Sequence, residues 1–239
     1  MNLYRVFPEP REMHVLSDET TSDTIDQWYA PQSNESVRLS MISSPSGRLV
    51  GQDGTSASLS NPVDRAILRS LRGHAHAVIT GAETARTEPV PVPLHAPLVI
   101  VTESGNLEGH RVIDSSMRPG GVLVVSGSAP SHSPLDFFPE GAAQHVVWSK
   151  KSQLQAQDII GGLASQGANH LLVEGGRTIA ELFASAGSLD EVCLSLTGPP
   201  LSENHPPLAW WGDQWGEWSA SHVLTDDLKT LYMRYHRIT

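Results

Sequence analysis

The sequence predicts an α/β fold with a mixed sheet, mostly parallel, that ends in a C-terminal antiparallel hairpin and carries helices on both faces. Two observations support this prediction. From Val37 onward, short apolar segments alternate with segments of helical periodicity, and clusters of Gly, Pro and Ser separate them. The last two strand patterns flank Asp226 and Asp227, as the strands of a hairpin do. We expect an acidic N-terminal arm over residues 1–36 and one domain over residues 37–239.

The arm differs from the rest of the chain in charge and periodicity. Residues 1–36 carry seven acidic residues against two arginines, with few aliphatic side chains. This composition is typical of a solvated surface, so we predict an arm and not a domain. Its few large apolar side chains, among them Leu3, Trp28 and Tyr29, are candidates for local packing.

The strands are predicted from short apolar runs bounded by turn residues. Residues 37–42 and 190–197 alternate apolar and polar side chains, as a strand with two different faces does. Residues 221–224 and 230–238 form the predicted hairpin. Further runs are mostly apolar, which is typical of strands that a parallel sheet buries on both faces. They lie at 76–80, 98–102, 122–126, 145–148 and 171–174.

Helices are predicted between these strands from their end signals. An Asn or Ser before the first turn caps a helix, and a Gly after the last turn permits the left-handed conformation that ends it. Pro62 occupies a first turn, where its missing N–H is not needed. The predicted starts and ends are Asn61 and Gly73, Ser152 and Gly167, and Gly176 and Gly187.

Composition excludes several classes of function. A total of 16 Lys and Arg against 26 Asp and Glu gives a formal net charge of −10, which argues against nucleic-acid binding. The longest apolar runs are far shorter than the roughly 20 residues of a membrane span, so no membrane is expected. The single cysteine, Cys193, cannot form an internal disulfide or complete a cysteine-based zinc site. We therefore expect a reduced, cytoplasmic setting, with Cys193 as buried filling and no metal.

The sharpest local signal is the segment Val173-Glu174-Gly175-Gly176-Arg177-Thr178, where a strand ends, two glycines turn the chain and a helix begins. Unpaired amides at a helix start attract an anion, and glycines leave room for a phosphate or pyrophosphate. The segment matches neither Gly-x-Gly-x-x-Gly nor the P-loop motif. A tight strand-to-helix turn without any ligand is the alternative.

A second strand, 76–80, also runs into a glycine turn. Gly81 is followed by Thr84 and Arg86, which on their own are typical of a helix cap and a surface cation. Two such turns at the carboxyl ends of parallel strands would enclose one crevice, the usual ligand position in open α/β sheets.

Several motifs together resemble a known family. They are Asn-Pro-x-Asp-Arg at 61–65, Gly-Ala-Glu-Thr-Ala-Arg at 81–86, Glu-Gly-Gly-x-Thr at 174–178 and Ala-Gly-x-x-Asp-Glu-Val at 186–192. As an ordered set within residues 36–239 they resemble the bacterial riboflavin-biosynthesis pyrimidine reductases, and most nearly the stand-alone actinobacterial-type paralogues. The resemblance implies a dihydrofolate-reductase-like fold and a homodimer. It also implies hydride transfer from NADPH to a ribosylamino-pyrimidine 5′-phosphate, a small-molecule substrate.

The resemblance also assigns cofactor contacts, position by position. Thr84 and Glu88 fall at the nicotinamide end of NADPH, and Ser104 falls at the adenosine 2′-phosphate end. The pyrophosphate turn corresponds to Gly175, Gly176, Arg177 and Thr178.

On the substrate side the resemblance indicates Ser56, Arg72 and Glu174. A guanidinium suits a phosphate, although Arg72 also belongs to an arginine stripe with Arg65 and Arg69 that is typical of a solvated helix face. Glu174 is the catalytic candidate, because a carboxylate can bind the pyrimidine edge or shuttle a proton at the reacting ribose.

Two departures from the family pattern keep alternatives open. Ser46 stands where the family usually has an aspartate, and His95 replaces an expected basic residue. One alternative is an NADPH-dependent reductase of a pterin or dihydrofolate-type substrate. The other is a degenerate relative that binds a nucleotide without catalysis. The His-x-Glu and Pro-Cys-x-x-Cys motifs of the zinc deaminase half of the bifunctional enzyme are missing.

The strand at 190–197 and the terminal hairpin are the candidate seam of the homodimer. Four of the six tryptophans lie close together just before the hairpin, which predicts a capping layer over a sheet edge or dimer seam, or else a substrate lid. They are Trp210, Trp211, Trp215 and Trp218.

Overall fold

The computed structural model describes residues 2–15, 20–113, 121–151, 153–197, 217–227 and 230–238. Its strands are β1 Asn2–Phe7, β2 Glu12–Val15, β3 Ser36–Ser43, β4 Ala77–Gly81, β5 Val90–Pro91, β6 Leu98–Val101, β7 Val112–Ile113, β8 Val122–Ser126, β9 Ala143–Val147, β10 His170–Gly175, β11 Glu191–Leu196, β12 Trp218–Asp226 and β13 Leu231–Arg237. The α-helices are α1 Thr20–Tyr29, α2 Pro62–Gly73, α3 Ala82–Thr87, α4 Ala156–Ser165 and α5 Arg177–Ser185. Short 3₁₀ turns lie at Ser56–Ser58 and Pro134–Phe137.

The chain divides into two compact units. The first unit consists of Met1–Ser33, Arg38–His74 and Leu189–Thr239. The second unit consists of Asn34–Val37 and Ala75–Ser188.

In the first unit the strand order is β2-β1-β12-β13-β11-β3. β11 and β3 are parallel, whereas the other neighbours in this order are antiparallel. The terminal hairpin predicted from the sequence is confirmed as β12 and β13. It is joined on its outer side by β1 and β2, so the antiparallel part of the fold is larger than the hairpin alone.

In the second unit the strand order is β10-β4-β6-β8-β9, and every neighbouring pair is parallel. β4, β6 and β8 are buried along their whole length, as the continuous apolar runs predict. α3 packs against β4 and β6, and α5 packs against β10 and β4. The predicted α/β class, with parallel strands and a C-terminal antiparallel hairpin, is confirmed.

Two of the three helix starts follow the predicted signals. The Asn61 side chain accepts hydrogen bonds from the amides of Val63 and Asp64, so it caps α2 as predicted. α4 begins at Ala156, later than the predicted start at Ser152, which itself lies outside the described residues. The reason is a capping box further along the chain, in which the Gln155 amide donates to the Asp158 carboxylate at 2.9 Å.

The predicted acidic arm, residues 1–36, contributes β1, β2 and α1 to the first unit. β1 pairs with β12, and the side chains of Leu3 and Tyr29 are 0% and 1% exposed. These apolar side chains are buried because backbone pairing and α1 carry them into the core, while neighbouring acids remain at the surface. The domain boundary at residue 36 stays a prediction.

The first unit contains a buried group of three charges. Both Glu191 carboxylate oxygens accept hydrogen bonds, one from Arg38 Nε at 2.7 Å and the other from Arg234 Nη2 at 2.7 Å. The side chains of the two arginines are only 3% and 2% exposed. Cys193 is buried next to this group, and burial raises the pKa of its thiol. Charges in such a site are tolerated because each has an opposite charge and hydrogen-bond partners.

Within the residues that the structure describes, every helix is too short or too polar to cross a bilayer. Among the same residues, no group of three or more His, Cys, Asp or Glu side chains is arranged to hold a metal ion. Of the predicted tryptophan cluster, Trp218 lies in β12 and is 9% exposed. The other three members lie outside the described residues; they are Trp210, Trp211 and Trp215.

We expect Glu191→Gln to lower the free energy of unfolding by about 3–5 kcal/mol, because it leaves Arg38 and Arg234 buried without a compensating charge. Urea denaturation measures the change. Glu12→Gln is the matched control, because Glu12 pairs with Arg5 but its side chain is 41% exposed, and an exposed ion pair contributes only about 0–1 kcal/mol. If both variants lost the same free energy of unfolding, the buried charges at Glu191 would contribute no more to stability than an exposed ion pair does.

Candidate functional site

The glycine turn between β10 and α5 has the geometry of a cradle. Gly176 is the N-cap of α5, has φ +75°, and provides no side-chain cap for the first-turn amides. A Cβ built on Gly176 would lie 2.6 Å from Thr84 Oγ1. Glycine is therefore favoured at position 176 for two reasons. It adopts a positive φ without strain, and it has no Cβ to collide with Thr84 of α3.

α3 places two predicted residues beside this turn. It begins directly after Gly81 at the carboxyl end of β4, carries Thr84 in its first turn, and is followed by Glu88. The Glu88 amide donates to the Thr84 carbonyl at 2.8 Å, which ends the helix. Gly176 and Thr84 thus lie together at the carboxyl edge of the parallel strands, and Glu88 follows the far end of α3.

Thr80 is a residue of this edge that the sequence patterns do not single out. It pairs in register with Gly175, is 2% exposed, and its hydroxyl has no hydrogen-bond partner within the described part of the chain. A buried polar group of this kind is costly unless it meets a partner. The signal that could have found it is a hydroxyl residue at the end of an apolar strand, immediately before Gly81.

The glycine turn fits the pyrophosphate of a dinucleotide in two respects. The first amides of α5 lack a side-chain cap, and helix-terminal amides are natural partners of an anion. Gly176, which has no side chain, is half-buried, and the two residues that follow it, Arg177 and Thr178, are exposed, so the start of α5 is accessible to a bulky group.

Glu174 lies where the pairing of β10 with β4 is irregular. The register shifts between Val173 and Gly175, so Glu174 falls at the point of the shift. Its side chain is half-buried. Irregularities of this kind redirect a side chain and are common beside active sites, which agrees with the role predicted for this carboxylate.

Ser104 lies at the same edge, in the loop after β6. It is exposed, and its hydroxyl accepts a hydrogen bond from the Asn106 amide at 3.2 Å. Its carbonyl accepts from the His132 amide at 2.9 Å and from the Ser131 hydroxyl at 3.1 Å. The loop after β8 thereby meets the loop after β6.

Ser56 and Arg72 belong to the first unit. Ser56 begins a 3₁₀ turn whose conformation depends on Asp53, because the Asp53 carboxylate accepts from Ser58 Oγ at 2.6 Å and from the Thr55 amide at 2.8 Å. These hydrogen bonds, that of Ser58 first, lower the pKa of the Asp53 carboxyl. Arg72 lies half-buried in the last turn of α2.

The structure describes both residues that depart from the family pattern, Ser46 and His95. The hydroxyls of Ser46 and Ser44 are 2.8 Å apart in the turn after β3, so Ser46 interacts within its own turn. His95 is exposed in the loop before β6.

Comparison with known proteins identifies the family. The profile of the RibD C-terminal domain matches residues 35–199. The chain belongs to the RibD C-terminal domain family. The resemblance to riboflavin-biosynthesis reductases that the motifs indicate is thereby confirmed, and the general role that follows is that of a pyridine-nucleotide-dependent reductase acting on a small molecule.

Solved structures share the dihydrofolate-reductase-like fold. A pyrimidine reductase-like protein from Corynebacterium diphtheriae matches with a TM-score of 0.68 and 19% identity over 92% of this chain and 99% of that chain. A deaminase/5-amino-6-(5-phosphoribosylamino)uracil reductase from Thermotoga maritima matches with a TM-score of 0.64 and 17% identity over 85% of this chain and 56% of that chain. A riboflavin biosynthesis reductase from Saccharomyces cerevisiae matches with a TM-score of 0.61 and 12% identity over 92% of this chain and 100% of that chain. A search of curated protein sequences finds no match.

In this RibD C-terminal domain the residues predicted at the cofactor share one location. All of them lie in the second unit, at or after the carboxyl ends of β4, β6 and β10. They are Thr84, Glu88, Ser104, Gly175, Gly176, Arg177 and Thr178. The predicted substrate residues are divided, with Ser56 and Arg72 in the first unit and Glu174 in the second, and their grouping around one substrate stays a prediction.

We expect Gly176→Ala to weaken dinucleotide binding by at least about tenfold, because the methyl group enters the cradle next to Thr84. Isothermal titration measures the affinity. Gly167→Ala is the matched control, since Gly167 has a similar φ of +83° after α4 but has open space around its Cβ position. Equal affinity in both variants would mean that Gly176 serves only the turn.

Proposed function

We propose that this chain is an NADPH-dependent reductase that transfers a hydride to a ribosylamino-pyrimidine 5′-phosphate, acting as a 5-amino-6-(5-phosphoribosylamino)uracil reductase in riboflavin biosynthesis. The observation that carries the proposal is the uncapped start of α5 at Gly176, in contact with Thr84, in a RibD C-terminal domain. The names of the Corynebacterium and Thermotoga proteins support the same class of substrate.

The cofactor residues have separate tasks. The nicotinamide of NADPH supplies the hydride when it is bound. The amides of Arg177 and Thr178 hold the pyrophosphate at the start of α5. Thr84 and Glu88 orient the nicotinamide end, and Ser104 meets the adenosine end.

The substrate residues divide between binding and proton handling. Arg72 binds the phosphate of the substrate through its guanidinium. Ser56 contributes a hydroxyl from a turn that Asp53 keeps in shape. Glu174 binds the pyrimidine edge or exchanges a proton at the ribose, and the register shift in β10 supports its placement toward reacting atoms.

One alternative has specific support. Ser46 and His95 remove a carboxylate and a cation that the family pattern leads us to expect, which favours a nucleotide-binding relative without catalysis. A pterin or dihydrofolate-type substrate is the other alternative, because the fold by itself does not choose between heterocycles.

We infer that the chain forms a homodimer whose seam includes β11 and the terminal hairpin. Val223 and Met233 pair in register across the hairpin and both remain half-buried, and Leu231 is 39% exposed. Apolar side chains on the face of a paired strand are suited to a two-fold contact, which repeats one surface on both subunits.

We expect NADPH to stabilise the protein more than NADH does. A ligand at about 100 times its dissociation constant stabilises the folded state by about 2.7 kcal/mol, because it binds only that state. Thermal denaturation with each nucleotide measures the difference. A melting curve that millimolar NADPH leaves unmoved would reject the proposed cofactor.

Steady-state kinetics separate the roles of Glu174 and Arg72. Glu174→Gln is expected to lower kcat by about 10²-fold with NADPH affinity unchanged, if the carboxylate exchanges a proton. Arg72→Ala is expected to raise KM for the phosphorylated substrate with little change in kcat, because it removes binding common to ground and transition states. Arg69→Ala, an exposed residue of the same helix, is the control. Turnover of dihydrofolate alone, with Arg72→Ala behaving like the wild type, would replace the proposed substrate by a pterin.

Light scattering tests the homodimer. The chain has a mass of 25.8 kDa, and we expect a species of twice that mass at micromolar concentration, because the seam buries apolar side chains of both subunits. Met233→Glu is expected to shift the population toward the monomer by placing a charge in the seam. A wild-type chain that scatters as a monomer would contradict the inference.

A further inference from the structure

Two loops of the second unit meet at Ser104. The first loop, residues 102–106, follows β6, and the second, residues 127–133, follows β8. The Ser104 carbonyl accepts hydrogen bonds from the His132 amide at 2.9 Å and from the Ser131 hydroxyl at 3.1 Å. The side chains of all three residues are exposed at the carboxyl edge of the parallel strands.

The position of His132 relative to Ser104 is fixed by the backbone. Gly105 has φ +76°, and a Cβ built on it would lie 2.2 Å from the His132 carbonyl oxygen, so only glycine permits this approach. The Gly105 amide also donates to the buried Thr102 hydroxyl at 3.0 Å. The two loops therefore present Ser104, Ser131 and His132 as one preorganised surface.

The hydrogen bonds determine which groups this surface offers. The single Ser131 hydroxyl proton is donated to the Ser104 carbonyl, so the 3.0 Å contact between Ser131 Oγ and His132 Nδ1 is a donation from the imidazole. Nδ1 then carries a proton, and in the imidazolium form Nε2 donates as well. An imidazolium beside a serine hydroxyl is a suitable partner for a phosphate dianion.

Two arginines of this unit are engaged with backbone carbonyls. Arg86 Nη1 donates to the Asn106 carbonyl at 2.7 Å, and Arg111 Nη1 donates to the Thr87 carbonyl at 2.8 Å. Glu103 is exposed and directly precedes Ser104. Its carboxylate would repel a phosphate bound at Ser104, whereas it can accept a hydrogen bond from the 2′-hydroxyl of an unphosphorylated ribose. His132 can carry a positive charge, and its own amide donates to the Ser104 carbonyl, so the loop contact brings this side chain next to Ser104.

We propose that His132 and Ser131 complete a site at Ser104 that selects the 2′-phosphate of NADPH, and that Glu103 limits the strength of this selection. The inference rests on the proposed function, since it refines how that cofactor is chosen. His132 contributes a charge-assisted hydrogen bond, Ser104 contributes a hydroxyl, and Ser131 orients the imidazole.

Isothermal titration with NADPH, NADH, 2′-AMP and 5′-AMP tests the site. His132→Ala is expected to weaken NADPH and 2′-AMP by about tenfold, the usual effect of losing one charged hydrogen bond, and to leave NADH and 5′-AMP nearly unchanged. Glu103→Gln is expected to tighten NADPH and 2′-AMP by about twofold to fivefold, as removal of an exposed like charge does. Ser133→Ala, an exposed residue of the same loop, is the control and is expected to change neither class of nucleotide.

The outcomes separate this inference from the proposed function. A wild-type protein that binds neither dinucleotide rejects the proposed function, and the inference with it. A wild-type protein that prefers NADPH, with His132→Ala equally selective, overturns the inference alone. If His132→Ala weakens all nucleotides equally, His132→Lys decides: restored preference for NADPH supports the charge at this position, and an unrestored preference overturns it.

Discussion

Glu191 lies between Arg38 and Arg234, and the first unit is built around this buried arrangement of charges. Each arginine also donates to a carbonyl at the end of α1, Arg38 to Tyr29 and Arg234 to Trp28. α1 has no basic residue in its own last turn, so the sheet supplies the positive charge that a helix C-terminus favours. Removing the carboxylate would leave two buried cations, which is why the N-terminal helix, β3, β11 and β13 depend on one another.

The second unit is organised by a different constraint, the common edge at which parallel strands end. β4, β6 and β10 each stop at this edge, and the predicted cofactor residues follow them directly. A rigid sheet holds the loops at its strand ends in defined positions, so residues in these loops can bind a ligand that lies across several strands. Gly176 and Gly105 illustrate the principle, since each allows a close approach that any side chain would prevent.

Membership of the RibD C-terminal domain family narrows the chemistry without choosing the substrate. The edge predicted to bind the cofactor has an uncapped helix start and, among the described residues, a buried Thr80 hydroxyl without a hydrogen-bond partner. The predicted substrate side differs from the family pattern at Ser46 and His95, while Asp53 organises the turn that carries Ser56. Cofactor selection and substrate selection are therefore separate predictions for this protein, and each has its own candidate residues.

The sequence by itself determined the elements whose signals are local. Asn61 caps α2, Gly167 ends α4, and the apolar runs became β4, β6 and β8, because capping and hydrophobic periodicity depend on near neighbours. It also carried the glycine turn at Gly176, whose role as a cofactor site stays a prediction. Only the tertiary structure decided that Leu3 and Tyr29 are buried, that Glu191 joins Arg38 to Arg234, and that His132 meets Ser104. These contacts join residues far apart in the chain, and whether an acidic or basic side chain is solvated or buried depends on partners that no local pattern specifies.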